Sequence, residues 1–213
     1  MNDQNTILVT SPAMRDSVQP RSIRDAILDA TDRLLAKYGY KKMTIDDLAA
    51  EVGIGKGSIY LHFKSKEEIA LSHIDRIIGR LTGRLVEIAE SGGSVDARLR
   101  KMIVERVLIR FDSVQHYSQS LNELLATLRP RLLERRRRYF EVEAKHFARV
   151  LNEGKDAGVF SFKDPLAAAH ALLDATNALL PYSLSAYELG ERSEIERKTL
   201  NVADLILNGL RKR

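Results

Sequence analysis

TIDDLAAEVGIGKGSIYLHFK, the stretch from Thr44 to Lys64, reads as two short helices joined by a tight turn. Thr44 stands where an N-cap is needed, and Asp46 and Asp47 follow in the first turn, where the helix dipole favours negative charge. Leu48, Ala49 and Val52 recur at helical spacing. Gly53 then sits where the chain must turn sharply, because only glycine enters a left-handed conformation cheaply. After Ile54, a second helix is expected from about Gly55 to Phe63, with Ile59 and Phe63 on its apolar face. Small Ala49 lets the two helices approach, and Val52, Ile54 and Ile59 supply a shared core. This is helix-turn-helix spacing. It leaves Lys56, Gly57, Ser58, Tyr60 and His62 facing outward. Short donors and glycine at a helix start suit close approach to base edges, whereas Tyr60 and Lys64 suit phosphates.

The same residues carry a family resemblance. GIGKGSIYLHFKSKEEI resembles the signature of the TetR, or tetracycline-repressor-like, transcriptional regulators. In that family a threonine opens the second helix, here Thr44. The recognition helix follows as Gly57, Ser58, Ile59, Tyr60, His62 and Phe63, and Lys64, Ser65, Lys66 and Glu67 open the fourth helix. The match is close over about the first third of the chain; beyond it only length and helical character agree. The resemblance implies an all-α fold of about nine helices, with a three-helix DNA-binding head followed by a larger helical ligand-binding and dimerisation domain. It also implies that the start of the first helix approaches the DNA backbone, which adds Arg24 to the phosphate candidates.

Composition sets outer bounds. A chain of 213 residues can bury a large core as one or two domains. Cysteine is absent, which excludes disulfides and thiolate metal sites. No apolar run approaches the ~20 residues of a membrane span, and no signal-peptide core follows Met1. A soluble, cytoplasmic protein is expected. The net charge is +5, yet residues 1–70 hold ten basic and ten acidic side chains. The case for nucleic acid therefore rests on where charges fall, with Lys56, Lys64 and Lys66 read as outward, and not on bulk basicity.

Residues 1–20 carry Pro12, Pro20 and no sustained period, so they read first as a floppy terminus, the alternative being an arm whose Arg15 or Arg21 reaches a phosphate or the minor groove. Residues 21–66 form the expected reading head and 67–213 the helical body. The first helix runs from about Ser22 to Tyr38 on the stripe Ile23, Ile27, Ala30 and Leu34, and Gly39 ends it. Ser65 and Glu68 form a capping box for a long fourth helix through about Ser91, with Ile69, Ile77, Leu81, Leu85 and Ile88 along one side. Gly92 and Gly93 break it. A fifth helix spans about Val95 to Asp112. A sixth starts near Tyr117 or Ser118 with Leu121, Leu124, Leu125 and Leu128. Pro130 is expected to interrupt it, and a further helix runs from there to about Ala157.

Arg135 to Arg138 form a four-arginine run, with Glu134 placed to pair with Arg138. Winding the segment at 100° per residue puts Arg136 and Glu143 on the apolar stripe of Phe140, Phe147, Val150 and Leu151. A charge there is either a structural ion pair or an anchor for an anionic ligand. Asp164 and Pro165 open the next helix, expected over about 164–186 until Pro181 kinks or ends it. His170, Asp174 and Asn177 align on one side of it, as an interface, plain surface or a pocket wall. The last helix spans about 193–210 and ends in Arg211, Lys212 and Arg213. By resemblance, these last two helices pair two subunits across a four-helix interface.

His62, His73, His116, His146 and His170 are dispersed, with no close metal-ligand spacing, and no GxSxG, Walker A or GxGxxG occurs. No catalytic residue, metal or cofactor is expected. The leading expectation is a homodimeric repressor on a palindromic double-stranded DNA operator, released by an apolar or amphipathic small molecule. Arg136, Phe140, His170, Asp174 and Asn177 are the candidate ligand contacts. The alternatives are a DNA-binding regulator without small-molecule control, and a helical interaction module with a vestigial motif.

Overall fold

The computed structural model describes residues 22–115, 118–180 and 190–212, with residues 118–125 described by backbone alone. The expected N-terminal arm with Arg15 and Arg21, His116, Tyr117, the side chains of Leu121, Leu124 and Leu125, Pro181 and Arg213 lie outside the described residues. Eight α-helices occur among those described. They are α1 (Ile23–Lys42), α2 (Ile45–Val52), α3 (Lys56–His62), α4 (Lys66–Glu90), α5 (Val95–Val114), α6 (Ser118–Asp156), α7 (Pro165–Thr176) and α8 (Arg192–Leu210).

Local chemistry sets most of the boundaries. The Ser22 hydroxyl accepts from the Asp25 amide to cap α1, and the backbone leaves the helix at Gly39, whose φ is +74°. At α2, Thr44 and Asp47 form a reciprocal capping box: the Asp47 amide donates to Thr44 Oγ1 at 3.1 Å and the Thr44 amide to Asp47 Oδ2 at 2.9 Å. Gly53 closes α2 in the left-handed region at φ +76°. Both Gly53 and Ile54 donate to the Ala49 carbonyl at 3.0 Å, which holds the corner tight. Ser65 and Ser94 cap α4 and α5 in the same manner as Ser22. The Glu68 carboxylate reaches back one residue further than a capping box requires, accepting from the Lys64 amide at 2.8 Å.

Two expected boundaries differ. Pro130 does not divide the chain: α6 runs through it for 39 residues. Proline removes one hydrogen bond to the carbonyl four residues back, but Ala126 and Pro130 are both exposed, so that carbonyl is open to water. Among the described residues the count is therefore eight helices, against about nine expected. The helix expected over 164–186 ends at Thr176, followed by a single 3₁₀ turn at Asn177–Leu179 and an extended Leu180. The residue before a proline is disfavoured in the α region, which fits the extended Leu180 ahead of Pro181.

Buried side chains gather in two clusters. One joins Ile27, Leu34, Leu48, Ile59, Phe63 and Ile69 of α1–α4 to Val107, Phe111, Leu128, Leu180 and Ile195. The other holds Leu81, Leu85, Leu99, Met102, Phe147, Leu151, Leu172 and Ala203. Phe140 packs against both. At the far end of α6, a Cβ on Gly154 would stand 2.2 Å from the Phe160 ring, so glycine is what lets that ring seat. Ser161 and Lys212 then pair with Leu210 and Val159 across a short antiparallel bridge that ties the end of α8 to α6.

Candidate functional site

The head presents α3 outward. Ile59 and Phe63 are buried on its inner side, while Lys56, Gly57, Tyr60, Leu61 and His62 are exposed and Ser58 is half-buried. Thr44, at the start of α2, and Lys64, just past α3, are exposed as well. The Arg24 guanidinium lies over the Phe63 ring at 4.9 Å, which brings the start of α1 beside the end of α3. Of the eight residues expected to meet DNA, five lie on α3, Lys64 follows it, Arg24 packs beside its end, and Thr44 caps α2. Lys56 is exposed but engaged, with its Nζ 2.9 Å from Asp46 Oδ2, and that carboxylate raises the lysine pKa.

Lys66 is a correction. It does not point outward: its ammonium donates to the carbonyls of Tyr40 and Met43 at 3.1 Å and of Lys41 at 3.4 Å. These carbonyls cluster where α1 ends, so the charge satisfies backbone acceptors that no helix continues to pair. Leu61 is a residue that sequence reasoning missed. It is 84% exposed, and the signal was available in the helical winding that buries Ile59 and Phe63.

Polar contacts strap α4 between head and body. Towards the head, Arg76 Nη1 meets Asp29 Oδ1 at 2.7 Å, and buried His73 Nε2 lies 3.3 Å from Asp32 Oδ1. A hydrogen bond from His73 is the largest influence holding the Asp32 pKa below its ordinary value. Towards the body, Asp75 accepts from both Arg135 and Tyr139 of α6, and Arg131 pairs with Glu67 at 3.2 Å. Burial, then Asp75, raises the Tyr139 pKa, so its hydroxyl stays a donor. The expected pairing of Glu134 with Arg138 is not formed; both line a cleft of about 850 Å³ between the start of α4 and α6, with Lys64, Arg137 and Glu141. Arginine at 135 has a carboxylate on α4 in reach instead.

Inside the body, Glu143 is fully buried and holds two arginines of α5. Arg106 Nε donates to it at 2.8 Å, and Arg110 donates to its other oxygen. Arg106 also donates to Thr176 Oγ1 at 2.6 Å and to Asn177 Oδ1 at 3.1 Å, at the C-terminal end of α7. The helix dipole there adds to the Glu143 charge in balancing the guanidinium. Phe140 sits between Arg106 and Arg136, with ring-to-cation distances of 5.3 Å and 4.9 Å. Of the five residues expected to touch a ligand, Phe140 and Asn177 meet Arg106, and Arg136 lies over the Phe140 ring. Asp174 is exposed, and His170 faces Glu141 at 3.9 Å. Arg106 and Arg110 were missed, although winding α5 puts Arg106 beside Met102, Ile103 and Val107 on the buried stripe.

Among the described residues no group of His, Cys, Asp or Glu is placed to hold a metal ion, and no helix is long and apolar enough to cross a membrane.

The family model for bacterial regulatory proteins of the tetR family matches residues 27–72. A transcriptional regulator of Bacillus subtilis, YerO, is 42% identical over 67 residues, which cover 32% of this chain and 23% of that protein. The HTH-type transcriptional repressor KstR2 of Mycolicibacterium smegmatis is 32% identical over 98 residues, 46% of each chain. The chain thus matches about a quarter of the first relative and just under half of the second. A crystal structure of a transcriptional regulator from Cytophaga hutchinsonii matches with a TM-score of 0.73 and 22% identity, over 88% of this chain and 98% of that one. That last likeness carries the fold alone.

Proposed function

The chain belongs to the TetR family of DNA-binding transcriptional regulators, and from that premise we propose that it is a homodimeric repressor released from a palindromic operator by a small molecule. The observation that carries the reading is the outward display of α3 on a rigid corner. In this reading α3 enters the major groove, with Lys56, Gly57, Ser58 and His62 at base edges. Tyr60, Lys64, Thr44 and Arg24 flank it and reach the phosphates, setting register and supplying salt-dependent affinity.

Pairing through the last two helices is supported by their exposed apolar side chains. Leu205 on α8 is 74% exposed and Leu166 on α7 is 40% exposed, and Ala167, Ala171 and Ala175 of α7 are exposed too. A second copy would cover them. Residues 67–213 then serve sensing and pairing, and residues 21–66 serve reading.

For the effector, the polar knot around Arg106, with Phe140, Arg136 and Asn177, gives an apolar body with a few placed donors. That suits an amphipathic molecule with an anionic or carbonyl end. Its route to the head is α4, held by Asp29 and Asp32 on one side and by α6 through Asp75 on the other. A ligand that moves α6 tilts α4 and changes the distance between the two reading helices. The coupling available to such a change is commonly ~1–3 kcal/mol, roughly 5- to 150-fold in operator affinity.

The test is a displacement screen on the complex of the protein with a duplex selected from a random library, alongside sedimentation of Leu205→Glu. The reading expects an amphipathic compound that lowers operator affinity within that range, and a monomeric Leu205→Glu protein that binds a single half-site weakly. Operator binding that no compound alters would overturn release by a ligand. A Leu205→Glu protein that stays dimeric would overturn this interface.

A further inference from the structure

We propose that Leu61 is a specificity-determining residue that reads the 5-methyl group of a thymine in the major groove. The inference rests on α3 being the helix that enters that groove.

Winding α3 at 100° per residue sets Leu61 directly opposite the midpoint of Ile59 and Phe63, which are buried against the head. Its side chain is therefore the one aimed most directly away from the protein, at the centre of the face that meets DNA. At 84% exposed it is also the most exposed large hydrophobic side chain among the described residues. Tyr60 and His62 beside it are exposed and can hydrogen-bond; Leu61 cannot.

A second observation comes from Gly57, one helical turn earlier on the same side. A Cβ at Gly57 would meet no atom within 4 Å, and its φ is not positive, so neither packing nor backbone geometry inside the protein calls for glycine there. Glycine within a helix lowers its stability relative to alanine. What the missing side chain does provide is a thin helix start that can sink towards the base edges, carrying Leu61 down with it. Lys56, at the start of the same helix, pairs with Asp46 at 2.9 Å.

Of the groups on the major-groove edge, the thymine methyl is the apolar one; the others are hydrogen-bond donors and acceptors. Leu61 set against those would desolvate them without offering a partner, which is unfavourable. Against the methyl it loses water on both sides. The contact therefore selects thymine over cytosine at one position of each half-site, a preference that the polar residues of α3 do not supply.

The test uses the full-length protein and a duplex that it selects from a random-sequence library, with each thymine replaced in turn by deoxyuridine, which removes only the methyl. At one position per half-site the wild type should lose about fourfold in affinity, the factor equivalent to the ~0.8 kcal/mol of one buried methyl-sized group. Leu61→Ala should lose a similar factor on the unmodified duplex, should be indifferent to deoxyuridine at that position alone, and should melt at the wild-type temperature. A Leu61→Ala protein with the wild-type deoxyuridine profile would overturn the inference, as would a wild type indifferent at every thymine. Failure to select any duplex would instead overturn the reading of α3, and this inference with it.

Discussion

At Gly57 the fold leaves room for a side chain, so stability and DNA affinity can be tested separately there. Nothing in the head would clash with a Cβ at this position. Gly57→Ala should therefore leave the melting temperature unchanged or raise it, by up to about 1 kcal/mol of stability, as for any glycine inside a helix. Operator affinity, measured by anisotropy on the same preparation, should fall. Loss of both together would mean that the glycine serves the corner and not the groove. His146 gives a residue-scale prediction of a different kind. Desolvation by burial, helped by the Arg149 charge, holds its pKa below the ordinary 6.5. Between the depressed folded value and 6.5 the native state binds fewer protons than the unfolded chain, so stability falls as pH is lowered through that window. Thermal melts from about pH 7.5 to about pH 5 should show this slope. It should be smaller in His146→Gln; an identical slope in that variant would remove His146 as its source.

Among the elements, α6 departs most from the reading of the sequence. Its central feature is Glu143, a fully buried carboxylate holding Arg106 and Arg110 of α5. Glu143→Gln should lose about 3–5 kcal/mol in urea unfolding, because two buried guanidinium groups are left without their counter-charge. A change of less than ~1 kcal/mol would mean that the α7 dipole and Thr176 suffice to hold Arg106. The helix-turn-helix elements were legible in the sequence because each rests on local chemistry: Thr44 as cap, Gly53 as corner, and Ile59 and Phe63 at helical spacing. Pro130 misled for the converse reason. Whether a proline ends a helix depends on whether its orphaned carbonyl can reach water, and exposure is a tertiary property. The outward reading of Lys66 failed in the same way, since the carbonyls it satisfies lie at and just past the end of α1, more than twenty residues earlier. Winding α5 would have put Arg106 on the buried stripe, but its partners come from α6 and α7, which only the fold assembles.

At the scale of the whole molecule, polar contacts and apolar packing are divided between separate tasks. The two hydrophobic clusters hold the chain together, and Phe140 touches both. Polar links join α1 to α4 through Asp29 and Asp32, α4 to α6 through Asp75, α5 to α6 and α7 through Arg106, and α5 to α8 through Arg100 and Asp204. On the proposal of a ligand-released homodimer, these links would carry a movement of the body to the head.

The most direct measurement is fluorescence anisotropy of the full-length protein against duplexes from upstream of its own coding region, over a salt series, with Tyr60→Ala in parallel. We predict tight binding to one fragment by an even number of chains, with affinity falling steeply as salt rises. In Tyr60→Ala the affinity should drop and the slope become shallower, by about one phosphate contact in each half-site. Weak binding of equal strength to every fragment, untouched by the Tyr60 substitution, would contradict the assignment of α3 as a sequence-reading helix.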